Sequence, residues 1–290
     1  MDQVNLLARA KINLSLDVLG KRPDGYHEIR SVMQNVTLAD SVHVKKVGKV
    51  DYLKVVSNIG FLPTDQRNVA YKAAKMLIDK HGISDGVFIN LEKEIPVSAG
   101  LGGGSADCAA VLIGMHQLFN LNISYPELLK MGLSLGADVP FCLTRGTALA
   151  EGVGEKLVRL KPFPKAWFLL IKPSFAVSTA EVFRHYNPDA VQHPDTDKML
   201  YYINKGDLQG ICSQMGNVLE SVTIARFPLI DRLKKFLLDH GALGALMSGS
   251  GPTVFGVFKD RDKAEAAESA AKSAFPTMRD IYVTRAFNVD

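Results

Sequence analysis

A mixed α+β fold is what this sequence predicts. Strand-type alternation dominates the first third, well-delimited helical segments follow, and few connections have the length of a β–α–β crossover, which argues against a doubly wound sheet. The 290 residues are 47% apolar and 22% charged, enough apolar material for a large core. That length suits one large domain or two of ordinary size.

Taken in order, Val4 to Val18 alternates as a strand, first VNLLA and then INLSLDV. The segment RPDGYH (22–27) is a turn, because Pro followed by Asp-Gly presets one dihedral and frees the next. Further strands are expected at 29–37, 41–46, 52–57 and 87–92. Asn68 to His81 carries apolar residues at helical spacing, and Gly82 stands where a C-terminal glycine belongs. Ser105 to Phe119 is a helix of small residues, apolar on most faces and therefore buried. Ser124 to Leu135 opens with a capping box, Ser124 and Glu127. Strands TALA (147–150) and WFLLI (167–171) come next, and 187–198 is a loop rich in Pro, Asp and His. Pro228 to His240 has proline at its start and Gly241 past its end. Strands at 243–247 and 253–258, a helix at 262–274 and a strand at 281–287 complete the chain. The weakest pattern lies at 151–165, where a domain boundary is placed.

Several function classes are excluded. Net charge is +4 with the bases scattered, which suits anionic small ligands but is too weak for a nucleic-acid surface. Lys45, Lys46 and Lys49 form the only tight basic cluster, and it has the character of a solvated strand end. Three separated cysteines, Cys108, Cys142 and Cys212, make no metal-binding spacing and are expected to be reduced and buried in a cytoplasmic protein. No signal-type leader and no apolar run of about 18 to 20 residues occurs, so neither export nor a membrane span is expected.

The segment PVSAGLGGGSAD (96–107) has glycine at four of the five positions from Gly100 to Gly104, directly before a buried helix. Free N–H groups and the positive end of the helix dipole make an anion site there, and Ser105 is free to cap the helix or to meet a phosphate or Mg²⁺. The segment is not a P-loop, since no Lys follows its last glycine, and the dinucleotide fingerprint fails at its sixth position. A plain glycine turn is the bland alternative. Lys11 and Asn13 share one face of a strand; a lysine snorkelling from a sheet edge is the alternative for Lys11. Asp138, in GADVPF (136–141), follows a helix as a terminal turn residue among apolar neighbours, and Lys11 is a possible compensating cation. The turn SGSGPT (248–253) is either a hairpin loop or a second backbone nest for an anion. Tyr26, His27 and Phe183 are either packing residues or a stack for a flat ring.

Four segments in this order, AKINL, PVSAGLGGGSAD, GADVPF and GALMSGSGPT, resemble the GHMP kinase superfamily. KRPDGYHE (21–28) and SLGADVPFCL (134–143) resemble its branch acting on a cytidine diphosphate sugar alcohol in the non-mevalonate isoprenoid route. The resemblance implies a two-domain fold, with a ribosomal-protein-like N-terminal ATP-binding domain (1–158) and a ferredoxin-like C-terminal substrate-binding domain (159–290). It implies ATP and Mg²⁺ as cofactors and phosphorylation of the tertiary C2 hydroxyl of the methylerythritol unit. Carried over by residue, it makes Lys11 and Asp138 catalytic. It gives Pro96, Val97, Ser98, Ala99, Gly100, Leu101, Gly102, Gly103, Gly104, Ser105 and Ala106 to the ATP loop, with Ser105 a possible metal ligand. Asn13, Tyr26, His27, Phe183, Ser248 and Gly249 become substrate contacts, the three aromatic residues holding the cytosine ring. Another superfamily kinase, for homoserine or mevalonate, is the runner-up. A non-catalytic RNA-binding module is the reading from a different class.

Overall fold

The computed structural model describes residues 2–48 and 50–289. Lys49, part of the basic cluster named above, lies outside the described residues. The chain forms two compact units: Met1–Ala10, Leu38–Val97 and Gly102–Thr144 make the first, and Lys11–Thr37, Ser98–Leu101 and Arg145–Asp290 the second. Two long strands, β1 (Gln3–Lys21) and β2 (His27–Val47), contribute to both. The two pieces expected at 29–37 and 41–46 are thus one strand, because Leu38 and Ala39 continue the extended backbone.

In the first unit, β3 (Leu53–Ser57) pairs parallel with β4 (Gly86–Glu92), and β4 pairs antiparallel with Ser41–Val47 of β2. Against this sheet lie α1 (Val69–His81), α2 (Gly103–Leu118), α3 (Tyr125–Leu135) and α4 (Val139–Thr144). Helix α1 is capped as its sequence indicates: the Asn68 side chain accepts the Ala70 N–H, and Gly82 ends it in the left-handed region. Helix α2 is apolar all round, so it is the central, buried helix. It closes on the sheet at Gly114, where a Cβ would stand 2.9 Å from Leu6 Cδ1 and 3.1 Å from Val44 Cγ2. At α3 the capping box does not close as expected. Ser124 makes no side-chain cap, and the Glu127 carboxylate pairs with Lys80.

In the second unit, β5 (Thr147–Gly152) pairs with Ile29–Gln34 of β2 and with β6 (Lys156–Arg159), a strand inside the stretch whose pattern was weakest. The two-residue β8 (Gly216–Asn217) pairs parallel with Ser15 and Leu16 of β1. A separate antiparallel sheet has the order β11 (Asp280–Arg285), β7 (Trp167–Lys172), β10 (Val254–Phe258), β9 (Gly244–Met247). The helices are α5 (Thr179–His185), α6 (Thr196–Lys205), α7 (Leu208–Ser213), α8 (Glu220–Arg226), α9 (Leu229–Asp239) and α10 (Arg261–Ala274). The segment 187–198 is less irregular than expected, because Pro188–Ala190 form a 3₁₀ turn and α6 begins at Thr196 under an Asp195 cap. Cys108, Cys142 and Cys212 are buried and form no disulfide, and burial pushes the Cys108 and Cys212 thiols up to about 12.

Leu112 lies fully buried on α2 at the centre of the first unit. Leu112→Ala is expected to destabilise the protein by about 2–5 kcal/mol through lost burial and a residual cavity, measured by urea unfolding.

Candidate active site

Seven of the residues singled out by the sequence, Lys11, Asn13, Ala99, Gly100, Leu101, Ser248 and Gly249, converge in the second unit. Lys11 is only 4% exposed, and β1 lies between β2 and β8 in its sheet, so Lys11 is no snorkelling edge residue. Its Nζ donates to Asn13 Oδ1 at 2.7 Å, as their shared strand face allows. Asn13 Nδ2 donates in turn to Ser31 Oγ at 2.9 Å, and Ser31 Oγ to the Ser15 carbonyl at 2.5 Å. The Lys11 backbone N–H donates to the Leu101 carbonyl at 2.9 Å, tying β1 to the glycine-rich segment.

That segment is in turn locked to the 248–253 turn. Ser248 Oγ donates to the Gly100 carbonyl at 3.0 Å, and the Thr253 N–H to the Ala99 carbonyl at 3.3 Å. Gly100 has φ +76°, and a Cβ there would lie 2.3 Å from the Ser248 carbonyl oxygen, so both conformation and space require glycine. A Cβ on Gly249 would fall 3.5 Å from Lys11 Nζ and 3.6 Å from Asn13 Oδ1. The turn is therefore a neighbour of the lysine and not a detached hairpin loop. Asn217 holds it from beneath, its Nδ2 donating to the carbonyls of Met247 and Gly249 at 2.8 Å each.

The aromatic residues form a second cluster in this unit. His27 and Phe183 have ring centroids 4.9 Å apart at 30°, while Tyr26 is 63% exposed on the turn. Burial, and next the charge of Lys21, hold the His27 imidazolium below the usual histidine range, which favours the neutral ring. His27 is half-buried against Phe183. Sequence reasoning missed the contact of Asp17 Oδ1 with His193 Nδ1 at 2.6 Å, between residues far apart in the chain.

The first unit holds Pro96, Val97, Gly102, Gly103, Gly104, Ser105, Ala106 and Asp138. Helix α2 starts at Gly103 with Gly102 as cap residue, φ +68°, so Ser105 lies inside the first turn and is not the cap. The Ser105 hydroxyl faces the turn before α4: a Cβ on Gly136 would lie 3.8 Å from its Oγ. Asp138 begins a helix and does not end one, since its carbonyl accepts the Cys142 N–H at 3.1 Å and α4 follows at once. Among the described residues no group of three His, Cys, Asp or Glu is placed to hold a metal ion.

Beneath α2 lies a charge cluster that the motif reading did not reach. Lys93 Nζ donates to Asp40 and, at 2.5 Å, to Asp107 Oδ2, and all three residues are buried. One lysine neutralises one of the two carboxylates. Asp40 also accepts two backbone N–H groups, whereas Asp107 Oδ1 has no hydrogen-bond partner. Burial, opposed by Lys93 and reinforced by Asp40, pushes Asp107 up to about 7. The signal available in the sequence was an acid within an otherwise apolar helix.

Two family models match the chain, the GHMP kinases N terminal domain over residues 68–146 and the GHMP kinases C terminal over residues 199–277. The 4-diphosphocytidyl-2-C-methyl-D-erythritol kinase of Lachnoclostridium phytofermentans is 49% identical over 288 residues, 99% of this chain and 98% of its own. The chain belongs to the GHMP kinases, in the branch of the 4-diphosphocytidyl-2-C-methyl-D-erythritol kinases. The enzyme of that branch from Bacillus cytotoxicus is 50% identical over 250 residues, 86% of each chain. A solved 4-(cytidine 5'-diphospho)-2C-methyl-D-erythritol kinase superposes with TM-score 0.84 at 32% identity, covering 99% of this chain and 100% of that one. A homoserine kinase from Cytophaga hutchinsonii reaches TM-score 0.78 at 24% identity over 98% of this chain and 95% of its own, a likeness of fold alone. As a GHMP kinase, this chain is an ATP-dependent kinase of a small molecule. No helix among the described residues is long and apolar enough to cross a membrane.

Because Asp107 titrates higher in the folded protein than in the unfolded chain, folding takes up a proton between about pH 4 and pH 7. Its contribution is complete below about pH 4 and lost as pH rises through about 7. Asp107→Asn removes this slope. In urea unfolding, the stability of wild type relative to Asp107→Asn is expected to fall by about 1–3 kcal/mol from pH 5 to pH 8.

Proposed function

We propose that this kinase transfers the γ-phosphoryl group of ATP to the 2-hydroxyl of 4-diphosphocytidyl-2-C-methyl-D-erythritol. The observation that carries the reading is the 49% identity, over 99% of the chain, to a kinase named for that acceptor. A tertiary hydroxyl is a poor nucleophile, so catalysis rests on holding it in line and on stabilising charge on the moving phosphoryl group. Asp138 accepts or orients the hydroxyl proton. Lys11 polarises the acceptor oxygen, and Asn13 fixes the lysine through its 2.7 Å bond while contacting substrate. The loop Pro96 to Ala106 holds the phosphates, with the backbone N–H groups of Gly102 to Ser105 at the positive end of α2. Ser248 and Gly249, packed on Gly100 and beside Lys11, contact the substrate from the 248–253 turn. Tyr26, His27 and Phe183 hold the cytosine ring, for which a neutral His27 offers one donor and one acceptor.

Mg²⁺ suits these residues, since it binds through one or two oxygen ligands together with substrate phosphates. Ser105 provides such an oxygen in the first turn of α2, and the ion would neutralise charge on the phosphates. We assign residues 1–158 to ATP and 159–290 to the acceptor, apart from the acceptor roles of Lys11, Asn13, Tyr26, His27 and Asp138, a division that falls between the two family-model matches. The reaction is placed in the cytoplasm, in the route to isoprenoid precursors.

Two measurements test this. Asp138→Asn and Lys11→Ala are each expected to lower kcat by about 100-fold or more; an Asp138→Asn enzyme at the wild-type rate would remove the base. A coupled ATPase assay over a panel of acceptors is expected to respond to the cytidine diphosphate sugar alcohol and not to homoserine or mevalonate. The reverse pattern would keep the family and change the substrate.

A further inference from the structure

We propose that Asp40, Lys93 and Asp107 are positioning residues for the nucleotide, a buried ion cluster that staples together the two ends of the glycine-rich segment. The inference rests on the reading above that this segment and the start of α2 hold the phosphates of ATP.

The entry end is held by Asp40. Its Oδ1 accepts the backbone N–H groups of Glu94 at 2.6 Å and Ile95 at 2.8 Å, the two residues before Pro96. Lys93 is held on both sides of its own backbone: its N–H donates to Asn58 Oδ1 at 2.8 Å, and its carbonyl accepts from Asn58 Nδ2 at 3.1 Å. The exit end is held by Asp107, one turn into α2, which takes a hydrogen bond from Lys93 Nζ at 2.5 Å. Lys93 Nζ donates to Asp40 as well, so one ammonium joins both ends. The two ends also touch at Gly103, where a Cβ would lie 3.1 Å from Ile95 Cγ2 and 3.5 Å from Lys93 Nζ.

The cluster is a poor device for stability alone. Asp40 is 0% exposed, Asp107 3% and Lys93 8%. Desolvating three charges costs what their attraction returns, and apolar residues of like volume often serve a core as well or better. What a buried, hydrogen-bonded ion cluster supplies is geometry, because each of its charged ends is held by specific groups of the protein. Here it sets the first turn of α2, whose N–H groups must meet the phosphates within a fraction of an ångström.

The test uses the whole enzyme, calorimetric titration with a non-hydrolysable ATP analogue, and steady-state kinetics. Asp107→Ala is expected to weaken analogue binding about tenfold and raise KM for ATP equally, with kcat and the acceptor KM within about threefold. Asp107→Asn keeps an oxygen for Lys93 and should restore ATP affinity to within about threefold of wild type. Should Asp107→Ala fail to fold, Asp40→Asn, which turns an amide N–H or a neutral oxygen toward Lys93, is expected to weaken ATP in the same selective way. A variant with a lowered melting temperature but wild-type affinity for the analogue overturns the proposal, as does an equal loss for ATP and acceptor. Wild-type enzyme that fails to bind the analogue overturns the nucleotide reading and this inference together, whereas wild-type binding with unaffected variants overturns the inference alone.

Discussion

Strand β1 is buried on both faces, and one of those faces is polar. Ile12, Leu14, Leu16 and Val18 enter apolar surroundings, while Lys11, Asn13, Ser15 and Asp17 are buried on the opposite side. A polar row at that depth is tolerated only when each member is hydrogen-bonded. Lys11 meets Asn13, Asn13 meets Ser31, Ser15 accepts the Val32 N–H, and Asp17 meets the Val18 N–H and His193. That requirement fixes the register of β1 beside β2, because a slip of one residue would put the lysine into the core and leucine against Ser31. It also places Lys11 where its backbone N–H reaches the glycine-rich segment. In this way one strand's alternation positions the lysine, the loop and the 248–253 turn together.

The periodicity made most of the secondary structure readable, and the reasons for the exceptions are physical. Residues 68–82 carried both of their caps in plain view, and α1 lies where they say. Asp138 was visible as an acid in an apolar setting, but not as the start of a helix, since Val139 and Pro140 carry no helical pattern over only six residues. Ser105 looked like a cap because serine favours that place. The helix starts earlier because Gly102, at φ +68°, does the turning itself.

The candidate site was legible in its members and not in its partners. Lys11 and Asn13 could be put on one face from spacing alone, yet β1 is an inner strand of its sheet only through β8, two residues long and some two hundred positions away, which pairs with Ser15 and Leu16. Asn217, which supports the 248–253 turn, sits in that short strand and stands out in no local pattern. Lys93 and Asp40 gave no sign of meeting Asp107, because a charge pair closed across strands and a helix has no period to detect. The family resemblance supplied roles for single residues, whereas the hydrogen bonds supplied the reason those residues stay put.

The division of the chain has a consequence for its biosynthesis. The path passes from one unit to the other five times, and the first unit is complete only at Thr144. The second unit likewise draws on Lys11–Thr37 and on the four residues Ser98–Leu101 before its main body begins. A ribosome therefore delivers the early strands of the second unit long before most of their neighbours exist. Gene fragments cut between residues 158 and 159 would keep β5 with its pairing partner β2, but would part β1 from β8. Such halves are suited to reassembly as a split protein and not to life as independent domains.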